Sequence, residues 1–136
     1  MTFTKLESRA AEILQRYEQP KAAMLPVLWL VQENEGYVSL EAETWVGEIL
    51  GVARSQVREA VSFYNMFHTK PVGRREIRVC MSLPCLLRGS AEVMERIKES
   101  LQISPGETTA GQEVTLTEVE CLCACEIGRA SCRERV

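Results

Sequence analysis

Six cysteines are the residues of this 136-residue chain with the most chemistry to offer, and five of them stand in two close groups. Cys80 and Cys85 enclose four residues, while Cys121, Cys123 and Cys125 alternate with Leu122 and Ala124. Thirty-five residues separate Cys85 from Cys121, enough for a helix and a returning strand. In a reducing compartment, thiols grouped this closely are metal ligands or redox groups; in a secreted chain they would be disulfides. Met1–Ser8 lacks the basic-then-apolar pattern of a secretory signal, so metal is weighed above disulfide. Four thiolates converging on one place need a cation or a cluster to offset their charge. Four cysteines suit a [2Fe–2S] cluster. They also suit structural zinc, although zinc knuckles favour C-x₂-C over the wider C-x₄-C found here.

Other chemistry is thin. His68 is the single histidine, too few for a Rieske-type site, and is read as a surface or boundary residue. No glycine-rich phosphate loop follows a strand, so the chain by itself is not expected to bind NADH. With a net charge of −3 and pI near 5.3, no basic face invites nucleic acid. The apolar run Ala22–Val31 is broken by Pro26 and too short for a bilayer, which excludes direct membrane insertion. Hydrophobic residues at 46% allow a buried core, and a soluble cytoplasmic protein is the expectation.

The elements around the thiols change character near residue 70. Leu6, Ala10, Ile13, Leu14 and Tyr17 recur at helical spacing, and Pro20 closes that helix. Lys21–Gln32 reads as a second, more apolar helix, stopped at Asn34–Gly36. Ser39 is a suitable N-cap for a third helix ending at Gly51, and Ser55 for a fourth with Val57, Ala60, Val61 and Tyr64 inward. Trp29 and Trp45 fall in apolar helical stripes and are assigned to packing. After the turn cluster Lys70–Gly73, Glu76–Cys80 alternates like a strand. Ser90 is read as the cap of a helix with Val93, Met94, Ile97 and Leu101 on one face. Val114, Leu116 and Val119 mark a second strand that runs into Cys121. Arg74, Arg75 and Arg78 are read as a solvated face, and Arg88 as a candidate to tune the site electrostatically.

The last eleven residues, Glu126–Val136, resemble an in-frame translation of a common sequencing-library adapter. On that resemblance they are set aside as a non-native tail, which removes Cys132 from consideration. The expected domains are a helical bundle at 1–70, a cysteine-bearing domain at 71–125, incomplete at its C-terminus, and the tail at 126–136.

Val79–Arg88, Ile103–Thr109 and Val119–Cys125 carry a family resemblance, extended by Val61–Tyr64 and Pro71–Gly73 over nearly all of residues 5–125. These segments resemble the small thioredoxin-fold [2Fe–2S] component of the NADH:quinone oxidoreductase of respiratory complex I. The resemblance implies an α+β fold, a small helical bundle followed by a thioredoxin-like [2Fe–2S] ferredoxin domain truncated at its C-terminus. It implies Cys80, Cys85, Cys121 and Cys125 as ligands of one [2Fe–2S] cluster. It further implies an oxidoreductase subunit with no active site of its own, peripheral to the inner face of the membrane. There it would exchange electrons with the flavin of an NADH-binding partner subunit. Related subunits in NAD-linked hydrogenases and formate dehydrogenases fit the same resemblance. A structural zinc domain and a thiol–disulfide protein are the readings from other classes. The family usually has glycine where Cys123 stands. If that loop needs a positive φ, a Cβ there introduces strain, and Cys123 is read as a non-ligand.

Overall fold

The computed structural model describes residues 3–134. The chain divides into two compact units, one up to Pro71 and one from Val72.

The first unit is four helices: α1 (Thr4–Leu14), α2 (Met24–Glu35), α3 (Leu40–Leu50) and α4 (Arg54–Phe63), with a 3₁₀ turn at Pro20–Ala23 before α2. Ala10, Val27, Leu28, Val31, Val46 and Val57 are its buried centre. Trp29 packs on Phe67 with ring centroids 5.7 Å apart, and Trp45 stacks on Phe3 at 5.1 Å. Ser39 caps α3 as its position suggests, its Oγ accepting from the Ala42 N–H at 3.1 Å. Gly51 ends the helix in the left-handed region with φ 65°. Two expectations are corrected. Ser55 is not a cap, because α4 begins one residue earlier with Ala53 at the N-cap and no side-chain bond there. Tyr17 lies past the end of α1, and 38% of it is exposed. The Gln32 side chain joins α2 to the segment after α4, donating to the Met66 carbonyl and accepting from the His68 N–H. His68 therefore acts in this unit through its backbone.

One polar group in this core has a measurable consequence. Glu43 is fully buried on α3, and its carboxylate meets Arg58 Nε at 3.0 Å from α4. Burial pushes the carboxyl above its ordinary value of 4.5, against the pull of Arg58 and Arg54. Between those two values the folded chain holds a proton that the unfolded chain has released. The group's contribution is thus fully present below the ordinary value and is lost as pH rises through the raised one. Relative to the parent chain, Glu43→Gln should gain stability between about pH 4 and about pH 7. Denaturant midpoints of both chains at the two pH values check this; an unchanged difference would contradict it.

The second unit is a three-stranded sheet in the order β2-β1-β3 with two helices. Its elements are β1 (Arg75–Cys80), α5 (Leu83–Leu87), α6 (Ser90–Leu101), β2 (Val114–Val119) and β3 (Ala130–Glu134). Val79, Met94 and Leu116 form its core, with Ile77 and Ile97 packed beside them. Alternation in β1 sends Ile77 and Val79 toward that core and Glu76 and Arg78 to the opposite face. There Arg78 Nη2 donates to the buried Glu76 carboxylate at 2.8 Å, and the Thr117 hydroxyl donates to its other oxygen at 3.0 Å. Arg78 is therefore turned onto a buried carboxylate and does not belong to a solvated face.

One further expectation changes in this unit. Ser90 is the first residue of α6, and Gly89, at φ 90°, holds the cap position. The Ser90 hydroxyl is buried without a hydrogen-bond partner. The adapter resemblance sets residues 126–136 outside the fold, yet Ala130–Glu134 pairs antiparallel with β1. Main-chain pairing asks little of side-chain identity, and without β3 the second edge of β1 would be an open template.

Candidate metal centre

The two cysteine groups meet because β1 and β2 are parallel. Their register runs from Arg75 opposite Val114 to Cys80 opposite Val119, so both strands end on the same edge of the sheet. Cys80 is the last residue of β1, and Cys121 follows β2 by two positions. The segments after both strands start side by side, fastened by the Met81 N–H to the Val119 carbonyl at 2.8 Å.

Cys80 is buried, with Sγ 3.1 Å from Ser82 Oγ and 3.4 Å from the Glu120 carbonyl oxygen. Hydrogen bonding to Ser82 lowers its thiol to about 7, favouring the thiolate that binds metal. Cys85 is buried as well, in the short helix α5, and is held up by its hydrogen bond to Cys80 and by burial. No periodicity in the sequence announces this helix. Its signal is Ser82 followed by Pro84 in the first turn, the start pattern of a helix too short to show an apolar stripe.

Cys121, Cys123 and Cys125 are exposed. Cys125 and Cys85 line one cleft of about 320 Å³, together with Pro84, Arg88 and Arg129. The structure thus puts Arg88 among the residues lining this cleft, with Glu126 also on its wall. Cys123 stands beside Cys121, their sulfurs 3.8 Å apart, and its N–H donates to Cys121 Sγ at 3.3 Å. The Cys123 thiol is raised by this contact. Its backbone has φ 51°, a conformation costing a non-glycine residue about 1–2 kcal/mol. The condition for strain at this position, a positive φ, is therefore met, and glycine would occupy it without strain.

Every donor here is a thiol, the soft ligand that suits zinc or iron–sulfur chemistry. Among the described residues no three His, Cys, Asp or Glu side chains converge as a single ion requires. Cys80 hydrogen-bonds with Cys85, Cys125 shares a cleft with Cys85, and Cys121 stands beside Cys123. A two-iron cluster takes two protein ligands at each iron, and an all-thiol donor set suits that group.

Fold and site together define a ferredoxin-type thiolate centre at the end of the parallel β1/β2 pair of a small mixed sheet. The family model described as thioredoxin-like [2Fe-2S] ferredoxin matches residues 10–130, and the chain belongs to that family. A [2Fe–2S] cluster is accordingly its cofactor. NADH dehydrogenase [ubiquinone] flavoprotein 2, mitochondrial, of Dictyostelium discoideum is 42% identical over 124 residues, 90% of this chain and 49% of that protein. The E component of the NADH-quinone oxidoreductase of Rickettsia bellii is 40% identical over 121 residues, 87% of this chain and 72% of that one. The chain thus spans about half the length of the first relative and under three quarters of the second. Among solved structures, the NAD⁺-reducing [NiFe]-hydrogenase in the air-oxidised state superposes with TM-score 0.63 at 16% identity. That match covers 81% of this chain and 20% of the hydrogenase chain, and it carries the fold alone.

Proposed function

We propose that the chain is the electron-carrying subunit of an NADH:quinone oxidoreductase, with Cys80, Cys85, Cys121 and Cys125 holding its cluster. The observation that carries this is the parallel β1/β2 pair, which delivers both cysteine groups to one edge of the sheet. When bound, a [2Fe–2S] cluster supplies one-electron storage and transfer. The chain's own contribution is to hold and tune. β1 and α5 fix Cys80 and Cys85 in a buried setting, which keeps water from half of the site. Ser82 places a hydroxyl on the Cys80 sulfur, and the Cys123 N–H points at the Cys121 sulfur. Hydrogen bonds to ligand sulfurs of this kind stabilise the more negative, reduced state and so raise the potential.

The partner in this reading is a subunit that binds flavin and NADH, in keeping with the names of the two curated relatives. No helix among the described residues is long and apolar enough to cross a membrane. A place at the inner face of a membrane would therefore come through the complex. The domain organisation proposed is a helical unit to residue 70, the cluster-bearing unit to 125, and a non-native stretch beyond. An equivalent subunit of an NAD-linked hydrogenase shares the fold, whereas the sequence relatives favour the quinone reductase.

The test is to purify the chain anaerobically, load it with iron and sulfide, and record visible absorption and the EPR of the dithionite-reduced form. A coloured protein with equal iron and sulfide and a one-electron EPR signal is expected. A colourless protein holding one zinc would overturn the proposal.

A further inference from the structure

Cys123 has no part in the ligand set above, yet it makes a close sulfur–sulfur approach in the exposed loop. Its Sγ lies 3.8 Å from Cys121 Sγ. A disulfide would bring the two sulfurs to ~2.05 Å, and both residues are exposed to a reactant. The loop is already folded back on itself, with the Cys123 N–H on the Cys121 sulfur at 3.3 Å. By contrast, Cys80 and Cys85 are 3% and 6% exposed, and buried thiols are poorly accessible to a large oxidant. Cys125 is exposed too, but it faces the cleft shared with Cys85.

We infer that Cys121 and Cys123 form a redox-active dithiol which small-molecule disulfides oxidise to an intramolecular disulfide when the cluster is absent, closing Cys121 to iron. With oxidised glutathione as the reactant, the Cys121 thiolate attacks one glutathione sulfur. That S–S bond breaks, one glutathione leaves as a thiol, and a mixed disulfide remains on Cys121. The Cys123 thiolate then attacks the Cys121 sulfur and expels the second glutathione. Two protein thiols are oxidised, one small disulfide is reduced to two thiols, and the protons pass to the leaving sulfurs. The effect on cluster loading rests on the reading of Cys121 as a ligand; the disulfide itself does not. A chain with glycine at 123 lacks the second thiol and has no such lock.

The full chain, freed of cluster and reduced, is incubated anaerobically with oxidised glutathione, its free thiols are alkylated, and it is mapped by mass spectrometry. The expected result is loss of two titratable thiols and of two hydrogens in mass, on the fragment joining Cys121 and Cys123. A bond from either of these to Cys125, or glutathione remaining attached, would overturn the inference. Next, the oxidised chain is offered iron and sulfide before and after dithiothreitol. It should stay colourless until reduced and carry no glutathione, while Cys123→Gly should keep glutathione on Cys121 after the same treatment, because no second thiol expels it. Should that variant not fold, Cys123→Ser serves, since it too removes the resolving thiol. Loss of two hydrogens in the variant as well, or no reaction of either chain, would defeat the lock. A cluster-loaded chain should be protected from oxidised glutathione. If Cys121–Cys123 forms there as readily, the dithiol stands and the assignment of Cys121 as ligand falls.

Discussion

Cys80→Ala, Cys85→Ala, Cys121→Ala and Cys125→Ala chains should each emerge from anaerobic loading colourless, with iron per chain at least about tenfold below the parent. Losing a residue that merely orients a ligand costs roughly 10–100-fold in metal affinity, so losing the ligand itself costs no less. Cys123→Ala and Cys132→Ala should load like the parent. The two halves of the site give different side effects. Cys80 and Cys85 are buried, so truncating them also leaves a small void, and circular dichroism must confirm the fold. Cys121 and Cys125 are exposed, and truncation there leaves no cavity. The exposed pair therefore isolates the ligand role. A coloured Cys125→Ala chain beside a colourless Cys123→Ala chain would move the fourth ligand to position 123.

That ambiguity at 123 shows where sequence reasoning succeeds and where it needs the fold. The alternation of Glu76–Cys80 could be read directly, because a half-buried strand writes its period into the chain. What the alternation cannot give is the direction of pairing. Only the parallel register, with Cys80 opposite Val119, turns two separated cysteine groups into one site. Ser39 was legible as a cap because the helix after it is long and its first turn is acidic. At Gly89-Ser90 two competent cap residues stand together, and the glycine takes the position at φ 90°. Helix α5 has five residues, less than two turns, so no apolar stripe could reveal it. Yet α5 is what carries Cys85 inward. Strand β3 was the least readable of all, since it is held by main-chain pairing to an open edge and by little that its sequence specifies. The strained φ of Cys123 was foreseeable only through the family's glycine, not from any property of the residue itself.

Gly73→Ala should destabilise the second unit by about 1–3 kcal/mol, the usual cost of forcing extra volume into a packed place. In a unit of this size each kcal/mol lowers Tm by roughly 4–8 °C. The reason lies where β1 begins. A Cβ built on Gly73 would lie 2.8 Å from the Val114 nitrogen, 2.9 Å from the Glu113 carbonyl carbon and 3.0 Å from its oxygen. All three are backbone atoms of the neighbouring strand's entry, so no side chain can rotate away to make room. The only relief is to move the strands apart, and several bonds resist that. The Gly73 N–H donates to Thr115 Oγ1 at 2.7 Å, and that oxygen also shares a hydrogen with Thr108 Oγ1 at 2.8 Å. Arg74 and Arg75 donate to the Gln112 and Glu113 carbonyls at 3.0 and 2.7 Å. These bonds start the parallel ladder whose far end sets Cys80 beside the Cys121 loop, so strain at Gly73 is passed along the register to the site. Gly111→Ala is the control, because its Cβ would meet only the Glu113 side chain at 3.9 Å. Thermal unfolding followed by loss of the cluster's visible colour should shift for Gly73→Ala and stay in place for Gly111→Ala. Equal behaviour of the two variants would mean that the close approach at Gly73 does not hold the ladder together.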